Sequence, residues 1–277
     1  MKQLFSLQKI SVSLFITFLS LRASASDPYS LPAGAGQAGM SYTCVMKNDF
    51  WSLFHNQAGL AIYHSLAFGI SYENRYGITE LGTRSAAVTI PAGNAGISAV
   101  YSYFGYPDFR RQMAGIACGL SLSEKVSAGI QLDYFSERSS GEFYNNQILT
   151  FETGILIFAT ENTTLGIHLF NPIPNTIRKT DLITGMRIGA GTYLSQEFFA
   201  GIEAEMITDR KIILKTGCEY EAGKKLWLRA GFSSENSSFS FGLGYNINPI
   251  RVDLAFATHE KLGITSSVSI IFNFRDL

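Results

Sequence analysis

Several features that would sort this chain quickly into a class are scarce or missing. Its 277 residues hold only three cysteines, Cys44, Cys118 and Cys218. An odd, scattered set is not a disulfide framework. Charged residues make up 16% of the chain, with 22 bases against 22 acids. No basic surface is available to hold nucleic acid, so no such partner is expected. No stretch after the first 25 residues stays apolar for the 18 or so residues that a membrane helix needs. The four histidines, His55, His64, His168 and His259, share no metal-ligand spacing with one another or with a cysteine. No Ser-His-Asp set can be assembled either. Enzyme chemistry, a cofactor and a metal are therefore not expected.

What is present begins with a leader. Lys2 and Lys9 precede an apolar run, Ile10 to Leu21, and Ala23-Ser24-Ala25 forms a small-x-small cleavage site. This reads as a secretory signal peptide over residues 1–25. Without Lys2, Lys9 and Arg22 the mature chain keeps 19 bases against 22 acids, a charge near −3.

From Ser65 onward the pattern has period two, the period of a strand whose side chains alternate between faces. In "VSAGIQLDYF" Val126, Ala128, Ile130, Leu132 and Tyr134 share one face, with Ser127, Gly129, Gln131 and Asp133 on the other. Fourteen such runs are expected, at 65–73, 81–91, 95–104, 109–122, 126–136, 147–159, 164–170, 184–195, 198–207, 211–221, 225–233, 238–246, 249–259 and 263–274. Most have the length of a tilted transmembrane strand. Connections after even-numbered runs are short ("AGN", "SEK", "AGK", "INP"), whereas several after odd-numbered runs are longer or more polar ("NRYGIT", "GYPDF", "ERSSGEFYNN", "NPIPNTIRKTDLI"). Short turns on one side and longer loops on the other mark an outer-membrane barrel, with the short side in the periplasm. A soluble sandwich also alternates. Its solvent face would carry charge, however, and here the small face carries glycine and serine.

The expected fold is therefore all-β: an up-and-down antiparallel transmembrane barrel of about 14 strands over residues 62–277. Lipid cannot satisfy an open sheet edge, so the sheet must close. Tyr72, Tyr101, Tyr103, Tyr134, Tyr193, Tyr220 and Tyr245 would form interfacial girdles. Alternation turns Arg187, Glu203, Glu205, Lys215, Glu219, Arg229, Arg251 and Asp253 inward, where opposite charges on neighbouring strands should pair. Asp133 and Glu152 fall on earlier strands and read as an ion-pair or loop-ordering element rather than a catalytic dyad. Cys118 and Cys218 fall on the lipid side.

A barrel this wide is not filled by its own side chains. Residues 26–61 are expected to fold back as a periplasmic segment and plug. "DFWSLFHNQAGLA" supplies a short helix capped by Asn48 or Asp49, filled by Trp51, Leu53 and Phe54 and stopped by Gly59. Gly34-Ala35-Gly36-Gln37-Ala38-Gly39 matches a dinucleotide fingerprint literally but lacks the preceding strand that such a site needs. Its glycines are expected to let backbone thread closely inside the barrel.

The stretch "AGAGQAGMSYTCVMKNDFWSLFHNQAGLA" resembles the N-terminal segment of the FadL-type outer-membrane superfamily. The likeness lies in Gly36, Gly39-Met40, the acidic Asp49 before an aromatic helix, and Asn56-Gln57-Ala58-Gly59-Leu60, where Gln57 stands at the usual proline. The resemblance implies a 14-stranded barrel with an N-terminal hatch. Its PorV-like branch, in Bacteroidota, implies an accessory subunit of an outer-membrane export or assembly machine of type IX secretion, with that translocon and membrane lipid as partners. Its channel branch implies instead passive uptake of a hydrophobic ligand. Short outer loops favour the first expectation, and the apolar plug helix the second.

Overall fold

The computed structural model describes residues 31–140, 144–172, 182–208 and 210–274. Within these, fourteen antiparallel strands close into one barrel in simple meander order, with β1 pairing β14. The strands are β1 Ala67–Asn74, β2 Gly82–Ala92, β3 Ala95–Tyr106, β4 Phe109–Ser123, β5 Val126–Ser139, β6 Tyr144–Phe158, β7 Thr163–Phe170, β8 Gly185–Tyr193, β9 Phe198–Ile207, β10 Ile213–Ala222, β11 Leu226–Ser233, β12 Ser238–Ile247, β13 Ile250–His259 and β14 Gly263–Asn273. Every expected run is a strand. The loop expected at "GYPDF" is shorter than expected, because β3 and β4 continue until only Pro107 and Asp108 separate them. Among the described residues no helix is long and apolar enough to cross a membrane.

The wall is inside-out relative to a soluble protein. Ile116, Leu132, Phe241 and Phe256 are among the large side chains exposed outside, at 53–68%. Ser102, Ser127, Ser240 and Ser269 face inward and are buried. An exterior of this kind is stable only where lipid replaces water. Cys118 lies on it, as alternation requires. Tyr193, Tyr220 and Tyr245 stand exposed at the short-turn ends of β8, β10 and β12, where a girdle would sit.

Register adds a feature that alternation alone does not reveal. Gly96, Gly119, Gly129 and Gly154 lie opposite one another on β3 to β6. Gly191, Gly201, Gly217 and Gly231 do the same on β8 to β11. Each row is a side-chain-free groove on the inner face of the wall.

Candidate functional site

Residues 33–61 lie in these grooves, inside the barrel. One turn of α-helix, α1 (Ala35–Ala38), is followed by turns and then by two 3₁₀ helices, Phe50–Phe54 and Gln57–Ala61. The short helix expected here is thus two tighter ones, meeting at His55-Asn56. A Cβ on Gly129 would come within 2.3 Å of the Gln57 carbonyl carbon, and one on Gly231 within 2.3 Å of that of Met40. Gly39 meets Gly242 backbone to backbone, with only 2.8 Å between its would-be Cβ and the Gly242 Cα. Gly36 lies against the Arg229 guanidinium. These glycines let the backbone of the segment approach the wall closely.

Two capping roles differ from expectation. The Asp49 carboxylate makes no cap. It accepts from Gln37 Nε2 at 2.6 Å and so ties the two halves of the segment together. Gly59 does not stop a helix but lies within the second 3₁₀ helix, pressed against Ser52 and Asn48. Asn56 is the capping residue, accepting from Ala58 N at 3.2 Å. Its amide also donates to the Val45 carbonyl at 2.7 Å and reaches the Ile155 and Ile167 carbonyls on the wall. Trp51, Phe54 and Ala58 are buried, and Phe50 and Phe54 flank Trp51.

All eight expected lumen charges are brought into pairs. Arg229 donates to Glu219 at 2.6 Å and to Asp253 at 2.8 Å. The second bond passes over β12, which the absence of a side chain at Gly244 permits. Arg251 also binds Asp253, at 3.1 Å. Arg187 binds Glu203 at 2.6 Å, and Lys215 pairs with Glu205. Sequence reasoning missed that the inner segment joins this network. Lys47 donates to Glu219 at 2.7 Å, Glu203 accepts from the backbone N–H of Cys44 and Val45 at 3.0 Å, and Arg187 donates to the Tyr42 carbonyl at 2.9 Å. Had Lys47 been counted with the wall's charges, its partner could have been sought among the acids.

Among the described residues Asp133 and Glu152 form no ion pair with a lysine or arginine. Glu152 meets Gln57 Nε2 and His168 Nε2, each at 2.9 Å, and Asp133 accepts from Gln131 at 2.8 Å. Gln57 is therefore a link from the segment to the wall. His55 is buried with Nε2 2.9 Å from the Ala33 carbonyl. Burial, and then the nearby Arg187 charge, holds its pKa well below 6.5. Burial pushes the Cys44 thiol up to about 12 against the pull of Arg187, so this thiol is inert. Among the described residues no cluster could hold a metal ion.

Among the described residues two cavities flank the segment, one on either side. The first, about 250 Å³, lies toward the long-loop end. Its apolar flank includes Leu31, Phe54, Met113, Phe170 and Ile213, and its polar flank includes Glu73, Glu152, His168 and Arg187. The second, about 260 Å³, lies toward the short-turn end, between Gln37, Asp49, Trp51, Trp227, Arg251 and Asn273. Ala38 and His55 bound the first and Gln37 and Trp51 the second. Part of the expected outer loop, residues 173–181, falls outside the described residues.

No protein-family model matches the chain, and no curated protein matches it in sequence. Solved structures do match in fold. The toluene transporter TodX of Pseudomonas putida superposes with a TM-score of 0.69 at 11% identity, over 90% of this chain and 100% of that one. A FadL homologue of Pseudomonas aeruginosa gives 0.62 at 12% identity, over 88% and 99%. The outer-membrane protein Omp33 of Acinetobacter baumannii gives 0.51 at 13%, over 76% and 98%. At such identities the likeness is one of fold.

Proposed function

We propose that this protein is an outer-membrane channel for small hydrophobic molecules, gated by residues 33–61, and that residues 1–25 direct its export. The observation that carries this reading is the pair of cavities. The layer of inner segment that lines both includes Gln37 and Ala38 on one stretch of chain and Trp51, Phe54 and His55 on the other. Displacement of that layer would join them into one path along the lumen. The first cavity offers an apolar flank of Phe54, Met113 and Phe170 to a ligand. Support also comes from fold neighbours titled a toluene transporter and a monoaromatic hydrocarbon channel. These favour the uptake expectation over the export-subunit one.

The reading is tested by ligand binding in detergent. Saturation-transfer NMR should detect toluene bound saturably to the wild-type chain. Met113→Trp, which fills the first cavity, should abolish that signal and leave the barrel folded. Toluene that only partitions, without saturation and equally in both proteins, would defeat the proposal.

A further inference from the structure

The outer face of β1 to β5 carries a second group of residues that the channel reading does not use. Arg84 is the third residue of β2 and is exposed on the lipid side. Register places it between Tyr72 of β1 and Tyr103 of β3. Its guanidinium carbon lies 5.9 Å from the first ring centroid and 5.6 Å from the second. Two aromatic faces can hold a guanidinium in place while its N–H donors stay free. Among the described residues no carboxylate pairs with it.

Further toward the long loops, Arg110 of β4 stands directly opposite Arg138 of β5. Both turn outward, because the next residues along, Arg111 and Glu137, bond each other on the inner side at 2.8 Å. Like charges directly opposite on a sheet destabilise it. No described carboxylate meets either arginine. Arg84 and Arg138 are three strands apart, roughly 14 Å of wall. Three cations without protein counter-charge thus share one end of one lipid-facing surface.

Beneath Arg84 lies a cavity of about 650 Å³ in the outer wall. Its floor is backbone, because the Ser71 and Ser85 side chains turn inward to Gly34 N and to Ser102. Ala86, between Ile70 and Tyr101 in register, is small enough to leave the space open. A cationic rim above an apolar groove matches an amphiphile with its head at the rim and a chain in the groove.

We propose that this surface binds an anionic lipid of the outer leaflet, with headgroup phosphate on Arg84, Arg110 and Arg138 and an acyl chain beneath Arg84. The occupant arrives from the bilayer, since the whole surface faces it. Its head carries phosphate because the rim is cationic and spans more than one anion's width.

Native mass spectrometry of the full chain in detergent tests this, with lipid A, phosphatidylcholine and inorganic phosphate as separate probes. Lipid A adducts should persist on the wild-type chain. Affinity should fall roughly fivefold for each arginine removed in Arg84→Gln and in Arg110→Gln with Arg138→Gln. Ala86→Trp, which fills the groove without touching a charge, should also lose the adducts. Lys224→Gln, in the short turn between β10 and β11 at the opposite end, should keep them. Equal retention of lipid A after all three arginines are replaced would overturn the proposal. So would phosphatidylcholine adducts as stable as those of lipid A, or occupancy by inorganic phosphate alone. Heat-modified gel mobility identifies any variant whose barrel has not folded, and Ala86→Trp then supplies the answer independently.

Discussion

Arg229 binds two carboxylates at once, Glu219 and Asp253, and is only 4% exposed. Breaking a buried ion pair by removing one partner leaves uncompensated charge and costs about 3–5 kcal/mol. Arg229→Ala should therefore lower the thermal unfolding midpoint of the barrel in detergent clearly, whereas an unchanged midpoint would mean that the lumen charges are solvated rather than paired. His55 gives a pH dependence whose sign follows from its lowered pKa. Seated in the lumen the imidazole stays neutral, while in a withdrawn segment it takes up a proton near its ordinary 6.5. Protonation thus favours withdrawal. Seating is fully favoured above about pH 6.5 and weakens by about 1.4 kcal/mol per unit below it, until the seated pKa is reached. Proteolysis of residues 33–61 should accelerate between about pH 7.5 and 5.5, and His55→Gln should flatten the response. A slope that persists unchanged in the variant would assign the effect to other groups. The inward placement of all eight wall charges was legible from alternation. The role of Gln57 was not, since a glutamine in a proline's position says nothing about a glutamate 95 residues further on.

At the scale of elements, the glycine rows decide where the inner segment can lie. Gly129→Val would drive a side chain into the Gln57 carbonyl, and Gly231→Val would do the same at Met40. Overpacking of this kind costs about 1–3 kcal/mol. It falls on the docking of the segment, since the strand hydrogen bonds of β5 and β11 are untouched. Either variant should expose residues 33–61 to protease while the folded barrel keeps its heat-modified mobility. Loss of both together would show that segment and wall fold as one unit. The strands were legible because a period of two survives in each run without reference to its neighbours. The rows were not, because a row exists only once four strands are in register. The missing side-chain cap at Asp49 was hidden for a similar reason: Asp49 has the right residue type for a cap, but Gln37, twelve positions earlier, takes its carboxylate.

For the whole molecule, closure follows from the solvent. A sheet with large apolar side chains outside and serine and glycine inside has no stable open edge in lipid, and β1 pairs β14 accordingly. That much follows from the pattern of side chains alone. The division of the lumen into two cavities did not, because it depends on how far each turn of the inner segment reaches across. If residues 33–61 gate the lumen, a reversible lock between the segment and the wall must stop passage. Ser41 Oγ and Ser240 Oγ lie 2.7 Å apart, one on the segment and one on β12, a spacing that a disulfide between the same positions can bridge with small adjustment. In a Cys44→Ser background, Ser41→Cys with Ser240→Cys should block uptake of radiolabelled toluene by expressing cells when oxidised, and reduction should restore it. Uptake that is equal in the oxidised and reduced protein would contradict the claim.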